Sequence, residues 1–188
     1  MSYTSRNNDV PRRLAFNKTY FRYTRSQRVL CVGLLKHKHV AFFRSDVEVD
    51  VERRVRELIQ GLGGRGIGAI AIFIGVVKDV VEGHRVHELS YEAYEEYALK
   101  ALDRIASEEL EKSGVEAVEI MHRLGSAKQG EKTLYIAVAA RGRKEALEAL
   151  SRILERVKAE PPIFKLEKRD DGEYYVIGEG RRVKREEI

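Results

Sequence analysis

The sequence predicts an α+β fold with a mainly antiparallel sheet. Strand patterns follow one another directly in several places and helical patterns separate only some of them, whereas a doubly wound parallel sheet alternates strictly. Two stretches, residues 94–112 and 144–158, carry apolar residues at helical spacing. A chain of 188 residues with 43% apolar content can bury one sizeable core. We therefore expect one domain of packed helices and strands.

The first half of this domain begins with a short strand and a capped helix. Val40–Phe43 is the predicted strand, and Asp50 is a suitable N-cap for a helix that continues to about Gln60. Residues 61–68 are rich in glycine and interrupt the pattern. The apolar run Ala69–Val77 has the length and the flanking glycines of a buried strand rather than of a helix.

A loop, a strand and a long helix come next. The loop is predicted over Asp79–Arg85, and Val86–Tyr94 alternates in the manner of a strand. The amphipathic helix runs from Tyr94 to about Lys112, and Gly114 ends it.

The remaining predicted elements are two strands, a helix and a hairpin. They are Val115–His122, Lys132–Ala140, Lys144–Lys158 and the strand pair Ile163–Glu167 and Glu173–Ile177. Pro161-Pro162 ends the helix because proline has no N–H to continue it. Asp171-Gly172 supplies the turn of the hairpin.

Charge divides the chain into parts. Residues 1–45 hold ten Lys or Arg residues and one acidic residue, although the net charge of the whole chain is only +5. We interpret residues 1–40 as a basic N-terminal extension, 41–180 as the main domain and 181–188 as a charged tail. The arginines and aromatic residues of the extension fit a nucleic-acid-binding arm, and the same composition fits a poorly ordered extension. Its apolar segment Val29–Leu35 could add a strand.

Composition also excludes several classes of protein. No apolar run approaches the roughly 20 residues of a membrane span, and the N-terminal residues lack the apolar core of a secretory signal. The only cysteine, Cys31, excludes an internal disulfide and a multi-cysteine metal site. We expect a cytoplasmic protein, and the charge-rich, amide-poor body is typical of a thermophile.

The ligand motifs in the sequence do not support a nucleotide or metal site. The glycine-rich break contains a G-x-G-x-x-G string, but it follows a predicted helix and precedes a strand, which reverses the dinucleotide-binding order. The pairs His37/His39 and His84/His87 have no evident third ligand nearby, so no metal site is predicted. His122 ends a predicted strand, and a structural role is expected for it.

The segment from Lys158 to Lys165 carries the most unusual chemistry. Lys158 falls in the last turn of its predicted helix, Pro161-Pro162 fixes the backbone, and Lys165 lies on the following strand. Such a corner could present two ammonium groups to one pocket, where their repulsion lowers the pKa of one amine and both hold an anion. Alternatively, Lys158 interacts with the helix dipole and Lys165 is a strand-edge charge.

Seven short strings occur in order and with compatible spacing from about residue 42 to about residue 178. They are Gly68–Lys78 (GAIAIFIGVVK), Leu89–Tyr94 (LSYEAY), Met121–Gly125 (MHRLG), Gly130-Glu131, Arg143–Leu147 (RKEAL), Lys158–Glu167 (KAEPPIFKLE) and Asp171–Tyr175 (DGEYY). As a set, these strings resemble the catalytic, large subunit of molybdopterin synthase. The basic N-terminal extension lies outside the resemblance.

The resemblance implies an α/β-hammerhead type of α+β fold and a homodimer that needs no metal and no cofactor. Each subunit would bind a small ubiquitin-like sulfur-carrier subunit, giving a heterotetramer, and the carrier's Gly-Gly C-terminus would enter the pocket as a thiocarboxylate. Sulfur would pass in two rounds to cyclic pyranopterin monophosphate (precursor Z), forming the dithiolene of molybdopterin in molybdenum cofactor biosynthesis. The alternatives are a non-catalytic paralogue that keeps the dimer and the carrier-binding surface, or a nucleic-acid-binding protein that uses the basic extension.

The resemblance also implies roles for individual residues. Lys165 matches the lysine expected to act as an acid–base or nucleophilic group, and Lys158 matches the lysine nearest the thiocarboxylate. Arg143 matches a substrate-binding arginine suited to bidentate phosphate contact, or it is a surface charge on the first turn of a helix. Glu167 follows Lys165 at the family's spacing and would orient it. Phe73 would line the pocket, or it packs in the core.

Three positions depart from the family pattern. Lys78 stands where an arginine is usual, so the positive charge is kept and the guanidinium fork is lost. Gly142 stands where a histidine is common, and the neighbouring Arg141 could supply the missing donor. Glu179 falls where an arginine is often found, although two arginines follow it closely.

Overall fold

The computed structural model describes residues 36–177 and 180–187. Residues 1–35 of the predicted basic N-terminal extension lie outside the described residues, including the apolar segment Val29–Leu35 and Cys31 within it, and so does Glu179. Among the described residues, no helix is both long enough and apolar enough to cross a bilayer.

Ten strands, three α-helices and one 3-10 turn make up the described part of the chain. The strands are β1 (His37–Phe43), β2 (Ala69–Val76), β3 (Val80–Val81), β4 (His84–Ala93), β5 (Val115–Arg123), β6 (Gly125–Lys128), β7 (Lys132–Ala140), β8 (Ile163–Arg169), β9 (Gly172–Ile177) and β10 (Arg181–Lys184). The helices are α1 (Val51–Gly61), α2 (Glu95–Leu110) and α3 (Arg143–Ala159), and the 3-10 turn is Arg185–Glu187.

The first sheet has four strands in the order β1-β5-β7-β2. β1 pairs with β5 in parallel, and the other two pairings are antiparallel. Alternate residues of β5 and β7 enter two different cores. One core joins Val118 and Ile120 to Leu102 of α2 and Ile153 of α3, and the other packs the sheet against Leu58 of α1. The sheet therefore lies between two helices on one face and one helix on the other.

The second sheet has the strand order β10-β9-β8-β4-β3, and β6 also pairs with β4. All of its pairings are antiparallel. The chain passes from the first sheet to the second three times: directly from β2 through Lys78 to β3, directly from β5 through Leu124 to β6, and from β7 through α3 to β8. Gly125 has a φ of 80°, which a residue with a side chain rarely adopts, so it can turn the chain between the sheets. These findings confirm the predicted α+β fold with mainly antiparallel pairing.

Local signals set the ends of the helices. The carboxylate of Asp50 accepts a hydrogen bond from the backbone N–H of Arg53 at 2.9 Å, which confirms the predicted N-cap of α1. α2 ends at Leu110, and Gly114 follows with a φ of 82°. α3 ends just before the proline pair, as predicted.

Pairing between strands adds elements that periodicity did not predict. The predicted loop Asp79–Arg85 contains the two-residue strand β3, which pairs with the start of β4. Gly125–Lys128 forms β6 on β4, although these four residues have no apolar alternation. Residues Arg181–Lys184 of the predicted charged tail form β10 on β9. Each of these strands is too short to show a period of two, and a neighbouring strand supplies its hydrogen bonds.

Candidate active site

Lys165 lies on β8 in a row of residues that crosses four strands. Its neighbour on β4 is Tyr91, its neighbour on β9 is Val176, and the neighbour of Val176 on β10 is Arg182. Residues in register on adjacent strands share one face of a sheet, so these four side chains belong to the same surface. Lys165 is half-buried on this surface.

The corner between α3 and β8 brings Lys158 towards Lys165. Lys158 lies in the last turn of α3. Beyond it, the backbone N–H of Ile163 donates to the Pro161 carbonyl at 2.7 Å, and the N–H of Tyr94 donates to the Pro162 carbonyl at 3.2 Å. The proline corner is thereby attached to the N-cap residue of α2, directly after β4, and the positive charge of Lys158 acts on the Lys165 amine.

The passage from β2 to β3 brings a third lysine to the same place. Val77 donates its backbone N–H to the Glu131 carbonyl at 3.0 Å and accepts from Gly130 at 3.0 Å. This pairing fixes the backbone next to Lys78, whose positive charge also acts on Lys165. The structure therefore brings together three of the residues that the resemblance singled out.

These surroundings lower the pKa of the Lys165 amine. Burial is the largest cause, because it disfavours the charged form, and Arg182, Lys78 and Lys158 lower the pKa further through charge repulsion. The negative charge of Glu167 opposes them and raises it. Sequence reasoning predicted the direction but attributed it to the second lysine alone, whereas burial and two further cations contribute more.

Glu167 is bound by an arginine that the sequence did not single out. Its side chain is 3% exposed, and Arg182 donates to its two carboxylate oxygens at 2.7 and 3.4 Å. A nitrogen of Arg169 lies 3.8 Å from the same carboxylate. Within the described residues Lys165 makes no ion pair, so Glu167 acts on it through its negative charge.

His122 stands beside this surface as a neutral imidazole. Its Nδ1 lies 2.8 Å from the carbonyl oxygen of Arg123, and a carbonyl only accepts, so Nδ1 carries the proton. The ring meets that of Tyr91 edge-on with 5.2 Å between centroids. Burial lowers the pKa of His122 to about 4, and the charge of Lys165 lowers it as well. The ring is therefore held in place, as expected of a structural histidine, and it adds no positive charge at neutral pH.

Arg141 and Arg143 lie away from the lysines. Arg143 begins α3, whereas Lys158 lies in its last turn, and a rise of 1.5 Å per residue separates them by roughly 22 Å along the helix. The Arg141 side chain is mostly exposed and lies 3.3 Å from a carboxylate oxygen of Glu116. Gly142 is the N-cap residue of α3. The structure does not bring these positions to Lys165 of the same chain.

Phe73 lies on β2 and packs against the core beneath α2 and α3. It has Ile136 of β7 as its neighbour in the sheet. This placement matches the core-packing alternative for its side chain.

A separate group of possible metal ligands joins two hairpin turns of the second sheet. Nδ1 of His84 lies 3.1 Å from Asp170, and Nε2 lies 3.3 Å from Asp171. The sequence did not reveal these partners, because they are 86 and 87 residues from His84 in the chain. The carboxylate of Asp171 is also bound by Arg169 and by the Tyr174 hydroxyl, so the contacts present are those of an ion-pair cluster.

The surface around Lys165 is suited to an anionic ligand. Several cations surround one buried carboxylate that is already paired with an arginine, and a neutral imidazole stands nearby. Positive charge in a half-buried site attracts carboxylate and phosphate groups, and an amine of lowered pKa gives up its proton more readily than an ordinary lysine does.

Residues 45–160 match the family model described as MoaE protein. The chain belongs to the MoaE family. Lys78, Arg143 and Lys158 fall inside the matched residues, whereas Lys165 and Arg182 follow them.

MoaE relatives from different domains of life share about two fifths of the aligned residues. The chain is 38% identical over 125 residues to the molybdopterin synthase catalytic subunit of Pyrococcus abyssi, covering 66% of this chain and 84% of the relative. It is 40% identical over 119 residues to that of Bacillus subtilis, covering 63% of this chain and 76% of the relative. The match to the rice subunit has 41% identity over 108 residues, 57% of this chain and only 56% of the relative.

Solved MoaE structures have the same fold. A molybdopterin synthase from Staphylococcus aureus superimposes with a TM-score of 0.61 at 29% identity, covering 74% of this chain and 95% of that one. A MoaE protein from Burkholderia ambifaria gives a TM-score of 0.59 at 27% identity, covering 73% and 88%. A complex of subunits 1 and 2 of molybdopterin-converting factor from Helicobacter pylori has 21% identity and a TM-score of 0.54, covering 82% and 91%, and shows the fold alone.

Proposed function

We propose that this protein is the catalytic subunit of a molybdopterin synthase. It transfers sulfur from a thiocarboxylated small carrier subunit to cyclic pyranopterin monophosphate, in two rounds, and so forms the dithiolene of molybdopterin. The observation that carries the proposal is that the exposed lysines Lys78 and Lys158 both act through their positive charge on the half-buried Lys165, in a chain of the MoaE family. Both reactants are anionic, and this surface is cationic.

The two lysines of the corner have different surroundings and therefore different roles. Burial and the neighbouring cations lower the pKa of Lys165, which favours its neutral amine, and this amine takes up a proton from the substrate or returns one. Lys158 lies at the end of α3, next to the fixed proline corner, and its ammonium holds the carrier's C-terminal thiocarboxylate. Lys78 supplies a further positive charge for a phosphate or carboxylate.

The substrate-binding arginine comes from a second copy of the chain. Arg143 lies roughly 22 Å along α3 from Lys158, too far for both to contact one small substrate within a single chain. A homodimer that places the start of α3 from one protomer against the lysines of its partner resolves this separation. Each protomer also binds one carrier subunit, so the whole assembly is a heterotetramer.

The direct test is product formation by the purified protein. It is incubated with precursor Z and a carrier whose Gly-Gly C-terminus is a thiocarboxylate, and molybdopterin is measured as its fluorescent oxidised derivative. We expect product to form in proportion to the thiocarboxylate supplied. Carrier binding without product would instead support the non-catalytic paralogue, and the absence of both would refute the proposed function.

The matched control uses the same carrier with an ordinary C-terminal carboxylate. This carrier keeps the negative charge and the binding surface but has no sulfur to transfer. It should bind and yield no product, which separates recognition of the carrier from the chemistry.

A further inference from the structure

Glu167 is a buried carboxylate near the Lys165 amine, but its hydrogen-bond partner is Arg182. Glu167 and Lys165 are two residues apart on β8, so their side chains emerge on the same face of the sheet. Side chains of these lengths can form an ion pair across that spacing. Both oxygens of Glu167 instead accept from Arg182, at 2.7 and 3.4 Å.

Arg182 reaches Glu167 from the last strand of the sheet. It lies in the same row as Lys165, two strands or roughly 10 Å away, with Val176 between them. Its guanidinium extends past Val176 and contacts Glu167, which lies two residues further along β8 than Lys165 on the same face of the sheet. One of its nitrogens also donates to the Gly180 carbonyl at 3.0 Å and to Glu82 at 3.3 Å, so its direction is fixed by several bonds.

Arg169, the other arginine near Glu167, forms its hydrogen bonds with the carboxylate of Asp171. Arg169 lies 3.8 Å from Glu167, but it donates to the two oxygens of Asp171 at 2.9 and 3.0 Å. Arg182 is therefore the arginine that makes the short contact with Glu167.

We propose that Arg182 is a positioning residue for Lys165: by holding both oxygens of Glu167, it keeps this carboxylate out of an ion pair with the Lys165 amine. The Lys165 N–H groups are then left for the anionic groups of the reactants. This role rests on the proposed function, and it assigns a task to β10, a strand that lies beyond the residues matched by the family model.

The charged and titratable groups that surround Lys165 come from six places in the fold. They are Glu167 on β8, Arg182 on β10, Lys78 after β2, Lys158 on α3, Tyr91 on β4 and His122 on β5. The three cations lower the pKa of Lys165, the carboxylate raises it, and His122 is neutral. Loss of Arg182 removes one cation and releases the carboxylate, and both changes raise the pKa of Lys165.

The test measures the titration of Lys165 in the whole protein, independently of turnover. The wild type and Arg182→Met are labelled with acetic anhydride across a pH series, and modification of the Lys165 peptide is quantified by mass spectrometry. We expect the pKa of Lys165 to rise by about one unit or more in Arg182→Met, the usual effect of a carboxylate brought within pairing distance. Arg181→Met is the matched control, because its exposed side chain lies on the opposite face of β10, and it should leave the titration unchanged.

A double-mutant cycle separates positioning from simple charge repulsion. In a Glu167→Gln background there is no carboxylate to release, so Arg182→Met should shift the Lys165 titration much less than it does in the wild type. An equal shift in both backgrounds, or no shift in Arg182→Met, would overturn the proposal. If Arg182→Met does not fold, Arg182→Lys replaces it in both backgrounds, since it keeps the charge and loses the two-pronged contact, and a smaller shift that depends on Glu167 is expected.

Turnover by the same variants then connects the titration to function. The pH at which turnover changes should move in the direction of the Lys165 pKa in Arg182→Met. Because the labelling needs no turnover, a wild-type protein that transfers no sulfur would refute the proposed function while the labelling result still decides the role of Arg182.

Discussion

Lys165 is half-buried beside three other cations, and these surroundings lower the pKa of its amine. On the same strand, Lys168 forms an ion pair with Glu88 at 2.7 Å, and this contact raises its pKa. The two lysines are three residues apart and therefore emerge on opposite faces of β8. The opposite pKa shifts of the two lysines therefore follow from the face of β8 on which each lies, and not from residue type.

Removal of the Lys165 amine should abolish sulfur transfer and leave the fold intact. We expect Lys165→Ala to reduce molybdopterin formation by at least about 100-fold, the usual contribution of a positioned acid–base group. Its unfolding free energy should change by no more than about 1 kcal/mol, because no ion pair is broken. Lys168→Ala is the control from the opposite face and should retain activity. Equal turnover by Lys165→Ala and the wild type would remove Lys165 from the mechanism.

His122 should make the stability of the protein depend on pH below neutrality. Burial lowers its pKa in the folded state to about 4, whereas the unfolded chain has an ordinary pKa near 6.5, so the unfolded state binds more protons between these values. Stability from this residue is fully present above about pH 6.5 and is lost as the pH falls towards 4. From pH 7 to pH 5 the loss should be about 2 kcal/mol.

Urea unfolding of the wild type and of His122→Gln at both pH values isolates this contribution. Glutamine does not titrate, so the variant should lose about 2 kcal/mol less than the wild type over the same interval. If the two proteins lose the same stability, the imidazole is not held neutral in the folded state.

At the scale of elements, the glycine-rich break that follows α1 has a structural role. Its string resembles a dinucleotide-binding motif, but it joins the end of α1 to the start of β2. The last glycine, Gly68, donates its N–H to the Ala140 carbonyl at 3.0 Å, and a Cβ there would lie 2.5 Å from the Arg141 carbonyl oxygen. Glycine is therefore needed at position 68 because the backbones of Gly68 and Arg141 lie too close together for a side chain.

Two glycines of the break should respond differently to alanine. Gly68→Ala should destabilise the protein by about 1–3 kcal/mol, because the backbone of Arg141 must move. Gly63→Ala should change stability by less than about 0.5 kcal/mol, since its Cβ would meet only the Gln60 carbonyl oxygen at 3.5 Å and its φ is not positive. Urea unfolding of both variants tests this. Equal destabilisation by the two substitutions would contradict the close-approach account.

At the scale of the whole molecule, we propose that the active site is divided between two copies of the chain. Lys78 and Lys158 act on Lys165 of β8 through their positive charge, whereas Arg143 lies at the other end of α3 from Lys158. A site that needs both must be completed across a homodimer, and this arrangement can be tested by mixing defective subunits.

Lys165→Ala and Arg143→Ala should each be inactive alone and should restore activity when refolded or expressed together. Random pairing makes half of the dimers mixed, and each mixed dimer has one intact site of two, so about a quarter of wild-type activity should return. A mixture of Lys165→Ala with Lys158→Ala is the control, because both lysines come from the same chain and no intact site can form. If the first mixture regains no activity, Arg143 either does not belong to the active site or acts in the same subunit as Lys165.

The sequence by itself determined the α+β class, the three helices and the longer strands. These follow from local physics: apolar periodicity over many residues, the Asp50 cap and the proline pair. The family strings also singled out Lys78, Lys158 and Lys165, which the fold brings to one surface. For each helix and strand the signal was contained in one continuous stretch of the chain, and for the lysines it came from short strings taken as a set.

Only the tertiary structure decided the short strands and the partners of the charged residues. β3, β6 and β10 are strands because a neighbour offers hydrogen bonds, and they are too short to show a period. Arg182 binds Glu167 across fifteen residues of sequence because two turns of the sheet return the chain to the same face. The burial that lowers the pKa of Lys165 is likewise a property of the packed sheets. Contacts between segments distant in sequence leave no periodic pattern in either segment, so a single sequence predicts the elements but not these pairings.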